Sequence, residues 1–152
     1  MDEMRRKDRR LSEEDAMAIL LNGEYGVLST VGGDGTPYGV PVSYAVGEGK
    51  IYIHGTAEGG KKARNIEGNP KVCLTVVGKT EVLPEKFSTK YESAIVFGTA
   101  ALSQTPEAGL QLLMDKYSSR FKETGMKYLQ KAMPETAVYE ICIEKITGKA
   151  RR

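Results

Sequence analysis

The stretch from Tyr25 to His54 reads YGVLSTVGGDGTPYGVPVSYAVGEGKIYIH, and its punctuation decides the fold. Tyr25 to Val31 is rich in strand formers, and Gly32-Gly33-Asp34-Gly35 behind it is strong hairpin-turn chemistry. Pro37 to Val46 reads as a second strand, in which Val40, Val42 and Tyr44 alternate with Gly39, Pro41 and Ser43. Pro41 has no amide to donate, which places it at a sheet edge or a bulge. Gly47-Glu48-Gly49-Lys50 then turns the chain into a third strand, Ile51 to His54. Together these segments predict a meander of three short antiparallel strands.

Upstream, Ser12-Glu13-Glu14-Asp15 opens a helix: Ser12 can cap it, and the acids suit its positive end. Ala16, Ile19 and Leu20 form its apolar stripe, and Asn22-Gly23 closes it. Residues 1–11, with Arg5, Arg6, Lys7, Arg9 and Arg10 among acids, read as a flexible, solvated basic arm before a single domain over 12–152. Downstream of His54, Gly55 to Gly60 reads as a loop and Lys61 to Glu67 as a short helix ended by Gly68-Asn69-Pro70. Lys71 to Val77 is apolar on both faces, which predicts a central strand. Gly78 to Lys90, with Pro84 inside it, reads as irregular, and Tyr91 to Leu102 as a long fifth strand.

Thr105 and Pro106 then start a helix whose stripe is Leu110, Leu113, Met114 and Tyr117. Gly125 is expected to break it from a second helical piece carrying Met126, Leu129 and Met133. A last strand runs from Ala137 to Ile146. Six strands, Gly-rich turns and a late return strand predict a mainly β fold: a six-stranded antiparallel Greek-key barrel with helices packed outside it.

At 152 residues the chain has room for one domain with a core of its own. Its 22 Lys and Arg stand against 20 Asp and Glu, a balance that excludes nucleic-acid binding through bulk charge. No apolar run approaches the ~18–20 residues of a membrane helix. The start, Met1-Asp2-Glu3-Met4-Arg5-Arg6, lacks the basic end and hydrophobic core of a secretory signal. Cys73 and Cys142 sit in apolar, strand-like runs far apart in sequence, which fits buried thiols in a reducing, cytoplasmic setting.

Ile51 to Ile66 is the stretch richest in chemistry: a strand, a Gly-rich loop, then a helix whose first turn holds Lys61, Lys62 and Arg64. Cations at a helix start face its partial positive charge, an arrangement that makes sense around a bound anion. Glycines let the backbone approach that anion, and a phosphate accepts from amides and ammonium groups alike. A solvated helix face explains the same spacing equally well. The spacing is neither that of a P-loop nor a dinucleotide-binding GxGxxG. His54 is the single histidine; a structural hydrogen-bonding role is the commoner one for such a residue. Two cysteines and one histidine lack metal-ligand spacing, so no metal is expected. No nucleophile elbow is present either. Glu85 to Ser93 mixes cations, hydroxyls and aromatic rings, which suits a flat polar ligand or simple strand-edge decoration.

Gly26 to Thr30, Pro37 to Tyr44, Ile51 to Gly55, Glu58-Gly59 through Asn65-Ile66 and Val82 through Gly98, in that order and spacing, resemble the flavin-binding split barrels related to pyridoxamine 5′-phosphate oxidase. Within these, the similarity is to the branch that includes nitroimidazole-resistance proteins. The resemblance implies a homodimer with FMN at the subunit interface. Pro41, Val42, Ser43 and Tyr44 would lie along the isoalloxazine ring through backbone contacts. His54, Gly55 and Thr56 would neighbour the cofactor. Lys62 best matches the family's phosphate-binding lysine; Lys61 stays open beside it, because the chain carries one residue more than the family usually has between Gly59 and Asn65. Tyr91 and Ser93 match the segment that completes the pocket, a contribution open to the second subunit. His54 matches a histidine near the flavin and becomes the candidate catalytic residue.

The activity implied by this resemblance is that of an FMN-dependent oxidoreductase, which takes electrons from NAD(P)H and passes them to a small electron-poor acceptor such as a nitroaromatic. A non-catalytic flavin-binding or sensing protein is the alternative. Pyridoxamine 5′-phosphate oxidation itself fits less well, because the chain has no tryptophan and ends at Gly148-Lys149-Ala150-Arg151-Arg152 without the oxidases' substrate-binding terminal segment.

Overall fold

The computed structural model describes residues 2–152. Its strands are β1 (Arg10–Leu11), β2 (Gly26–Val31), β3 (Pro37–Val42), β4 (Ala45–Gly47), β5 (Lys50–Thr56), β6 (Lys71–Leu83), β7 (Ser88–Leu102) and β8 (Thr136–Arg151). Its helices are α1 (Glu13–Asn22), α2 (Lys61–Gly68), α3 (Pro106–Tyr117) and α4 (Lys122–Ala132). Among the described residues, no helix is long and apolar enough to cross a membrane.

Every strand pairing is antiparallel, and the sheet runs β3-β2-β6-β7-β8-β5-β4, with β1 added to β8. The six expected strands are all present, and two short ones join them. Arg10 and Leu11, placed in the flexible arm by sequence, pair with Lys149 and Gly148. The second expected strand, 37–46, splits into β3 and β4 at Ser43-Tyr44. This split corrects the expected meander. β3 is one edge of the sheet and β4 the other, so β5 pairs with β8 and not with β3. Ser43-Tyr44 therefore carries the chain between two edges that share no backbone ladder. Leu28 and Leu74 from one half meet Ile51, Ile53 and Ile141 from the other in one buried core, so the sheet curls round itself: a split barrel.

The local signals explain most elements. Ser12 Oγ accepts the amide of Asp15 at 3.1 Å and caps α1, whose Ala16, Ile19 and Leu20 enter the barrel core. Pro41 does lie on an edge strand, and β6 is central, between β2 and β7. The stretch 78–90, expected to be irregular, continues β6 to Leu83, turns at Pro84–Lys86 and returns in β7 from Ser88. A register shift between Val77 and Thr80 obscures its periodicity. The break between α3 and α4 falls at Ser118–Phe121 and not at Gly125. Gly125 is instead where α4 approaches α3: a Cβ there would stand 2.2 Å from the Met114 sulfur.

β8 also runs past the expected end at Ile146. It bulges where Phe97 pairs with Lys145 but Gly98 with Ile143. The extra residue reverses which face turns inward, so Ile141 is buried before the bulge and Ile146, Gly148 and Ala150 after it. β5 is covered on both faces: Ile51 and Ile53 point into the barrel, while Tyr52 packs under α3 with Leu110, Leu113 and Met114.

Candidate functional site

β5 ends in His54-Gly55-Thr56, which pair with Val138, Ala137 and Thr136 of β8. The chain then turns tightly: Gly59 donates to the Thr56 carbonyl at 3.0 Å and takes a φ of +76°, a conformation glycine adopts without strain. α2 begins after Gly60 as its cap residue, with no side-chain cap and no acid in the first turn. Its first amides are thus left without side-chain acceptors. Thr56, Gly59, Gly60, Lys61 and Lys62 line a cavity of about 230 Å³, closed on its other side by Tyr38, Val40 and Tyr139.

The two lysines differ in setting. Lys62 is half-buried, its ammonium donates to the His54 carbonyl at 3.1 Å, and burial lowers its pKa. Lys61 is exposed, with its ammonium 5.0 Å from the centre of the Tyr38 ring. Arg64 does not border the cavity, so two of the three cations noted in sequence converge there. α2 is anchored beneath them by Asn65, whose side chain donates to Thr30 Oγ1 at 3.0 Å in the core. Lys62 and free amides around a glycine-lined hollow form a cradle for a doubly charged oxyanion. A phosphate monoester fits this donor set.

Along β5, side chains alternate, so His54 turns to the side opposite Gly55. There a second cavity, of about 520 Å³, lies between α3, α4 and the ends of β5 and β8. His54, Ser43 and Thr136 border its sheet side. Burial, and then the positive charge of Lys62, push the His54 imidazole below its ordinary pKa. It is therefore neutral at pH 7, able to donate from one ring nitrogen and accept at the other.

Ser43 borders this second cavity, whereas Val42 and Tyr44 point into the core and Pro41 is exposed on β3 opposite Val27. Tyr44 is wholly buried, and its hydroxyl donates to the Leu20 carbonyl. Its peptide groups are engaged inside the chain. Its N–H donates to Tyr117 Oη at 3.1 Å, and its carbonyl accepts from Lys116 Nζ at 2.9 Å. Of these four residues, Tyr44 thus has its peptide groups closed off by its own chain. Lys116 and Tyr117 are legible in sequence only as a helix end, since nothing local signals that α3 closes over residue 44.

Tyr91 and Ser93 lie elsewhere. They pair with Arg151 and Lys149 on β8, whereas His54 pairs with Val138. Val138 and Arg151 are thirteen positions apart, about 40 Å along the strand at ~3.3 Å per residue. Within one chain the structure brings together Ser43, His54, Gly55, Thr56, Lys61 and Lys62, and leaves Tyr91 and Ser93 at the other end of the barrel.

A family model described as pyridoxamine 5′-phosphate oxidase matches residues 12–150. Among solved structures, a candidate 5-nitroimidazole antibiotic resistance protein from Bacteroides thetaiotaomicron superposes with a TM-score of 0.74 at 20% identity, over 92% of this chain and 85% of that one. A FAD-binding protein from Mesorhizobium loti gives 0.68 at 23% identity, over 95% and 98%. The FAD and heme binding protein of Mycobacterium smegmatis gives 0.79 at 19% identity, over 95% and 74%. At such identities these likenesses speak for the fold. No curated protein matches the sequence.

Proposed function

The chain belongs to the pyridoxamine 5′-phosphate oxidase family, and from that premise we propose that it is an FMN-dependent oxidoreductase carrying electrons from NAD(P)H to a small electron-poor acceptor. The observation that carries this reading is the Thr56–Lys62 cradle: a half-buried lysine and uncapped helix amides around glycines, starting two residues after the single histidine. A phosphate there accepts from Lys62, from Lys61 and from the first amides of α2. When bound, the flavin supplies the hydride chemistry, and the protein supplies binding and orientation. Pro41 to Ser43 present an edge strand to the ring. His54, neutral and beside the cradle, offers a ring N–H as a hydrogen-bond donor that orients the acceptor.

The same reading makes the protein a homodimer, because Tyr91 and Ser93 reach a flavin site only from a second copy. The supporting observation is the outer face of β2, β6, β7 and β8. Val27, Thr75, Ile95 and Thr147 form one register row there, with Ser29, Cys73 and Phe97 in the next. All seven are half-buried, uncharged and outside both cores. Such a face suits an isologous contact between copies.

The test is the visible spectrum of purified protein after incubation with FMN and gel filtration, with the mass of whatever heat releases from it. Retained FMN, reduction by NADH or NADPH under nitrogen, reoxidation by a nitroaromatic and a dimer by sedimentation are the expected results. A colourless protein that takes up no FMN refutes the reading. Flavin that stays oxidised with both nicotinamides points instead to a binding or sensing role.

A further inference from the structure

The 520 Å³ cavity between α3 and α4 takes no part in the anion cradle, and its chemistry is the reverse. Leu110, Leu113 and Met114 of α3 face Phe121, Tyr128 and Leu129 across it. No Asp, Glu, Lys or Arg borders it, although the chain is 28% charged. Its one imidazole, His54, stands at the sheet side with Ser43 and Thr136, while the helical side adds only the hydroxyls of Tyr117, Ser118, Thr124 and Tyr128. Phe121 and Tyr128 are 66% and 70% exposed and form its mouth. At the sheet side the Thr136 hydroxyl already donates to the Ala132 carbonyl at 2.8 Å, which leaves Ser43 and His54 there to meet a ligand.

The geometry points to this cavity as the binding place of an uncharged, flat aromatic molecule whose one polar substituent faces Ser43 and His54. A charged ligand entering it loses its water and finds no opposite charge in the walls. An aromatic ring gains stacking or edge contacts from Phe121 and Tyr128 and a soft sulfur contact from Met114. The volume lies within the range of small-molecule sites. His54 borders this cavity while the next residue, Gly55, borders the cradle. A ring seated here therefore lies beside the cofactor position without sharing the phosphate site. Resting on the reading proposed above, its occupant is the electron acceptor, and the acceptor class narrows to neutral aromatics; aromatic carboxylates and phosphates are excluded.

Nitrobenzene and 4-nitrobenzoate share a ring and differ in charge, so they serve as the probes, with full-length protein with and without added FMN. Binding is read by saturation-transfer NMR, and FMN content by absorbance. Nitrobenzene is expected to bind roughly tenfold or more tighter than 4-nitrobenzoate. Phe121→Glu with Tyr128→Glu, at exposed positions, is expected to weaken nitrobenzene roughly tenfold while FMN content holds. Equal binding of the two probes, or variants that bind nitrobenzene as before, overturns the proposal. Loss of FMN together with nitrobenzene overturns it as well, in favour of the flavin ring as occupant. Nitrobenzene binding that disappears as protein concentration rises overturns it in favour of a second copy filling the cavity. Charge discrimination in a protein that takes up no FMN upholds the ligand class and refutes the flavin reading alone.

Discussion

The hydroxyl of Tyr117, at the end of α3, accepts the amide of Tyr44 at 3.1 Å in the short gap between β3 and β4. It also lies 2.6 Å from the Glu24 carbonyl and 3.0 Å from that of Tyr44, with one proton to give. Lys116 completes the clamp, its ammonium 3.7 Å from the centre of the Tyr44 ring. The gap is where the chain leaves one edge of the split barrel for the other, so its peptide groups have no ladder partner. α3 supplies the partners, and a helix remote in sequence thereby fixes the strand next to the candidate site.

Replacing Tyr117 with phenylalanine keeps the ring and removes the oxygen. We expect Tyr117→Phe to destabilise the protein by about 1–3 kcal/mol, since a buried amide loses its acceptor. At about 2–4 °C per kcal/mol for a chain of this size, the thermal midpoint followed by circular dichroism should fall by several degrees. An unchanged midpoint would mean that water replaces the hydroxyl.

Three buried phenols set an alkaline limit. Burial raises the pKa of Tyr44, Tyr52 and Tyr139 above the ordinary tyrosine value of 10.0, with Tyr117 adding to the shift at Tyr44. The unfolded chain then loses these protons before the folded one does. Stability is complete below pH 10.0, falls as pH rises through that value and keeps falling until the folded-state phenols ionise. Tyrosinate absorbance and circular dichroism, followed together, should show one cooperative alkaline transition. Smooth ionisation of every tyrosine with the fold intact would contradict it.

The lysine left open by spacing is separated by burial. Lys62 is half-buried against Gly55 and donates to the His54 carbonyl, whereas Lys61 is exposed above Tyr38. A phosphate bond from the desolvated lysine is the stronger, about 1.5–3 kcal/mol against a few tenths to 1 for a solvated ion pair. Lys62→Ala should therefore weaken FMN binding roughly ten- to a hundredfold and Lys61→Ala by about fivefold or less, measured by flavin fluorescence. The reverse order would put the phosphate on the outer lysine.

Legibility in the sequence tracks the range of the forces involved. Ser12 capping α1, Pro41 on an edge and an apolar, central β6 are local facts, written in neighbouring residues. The gap at Ser43-Tyr44 is not local: its alternation runs on unbroken from β3, and only α1 and α3 show why the chain parts there. Gly148 looks like the start of a tail, yet it lets β8 pass α1, where a Cβ would stand 2.8 Å from that of Ala16. Likewise, the cradle is visible in sequence as cations after glycines. The apolar cavity is not, because Phe121, Tyr128 and Leu113 look like ordinary helix residues.

His54 gives the last prediction its readout, because it is the single histidine in the chain. Its ring gives one resolvable set of imidazole signals, with no assignment needed. Burial first and Lys62 second lower its pKa, so without FMN its midpoint should lie below the ordinary 6.5. The unfolded chain binds this proton more readily, so stability falls as pH drops below 6.5 and levels off below the folded-state value. A phosphate in the neighbouring cradle cancels the charge of Lys62, and titration with FMN should move the midpoint upward. His54→Ala should keep the flavin, remove this acid-side dependence and slow acceptor reduction by about a hundredfold, the loss typical of one preorganised hydrogen-bond donor. A midpoint at or above 6.5 that FMN leaves in place would separate His54 from the cradle and make it a structural residue.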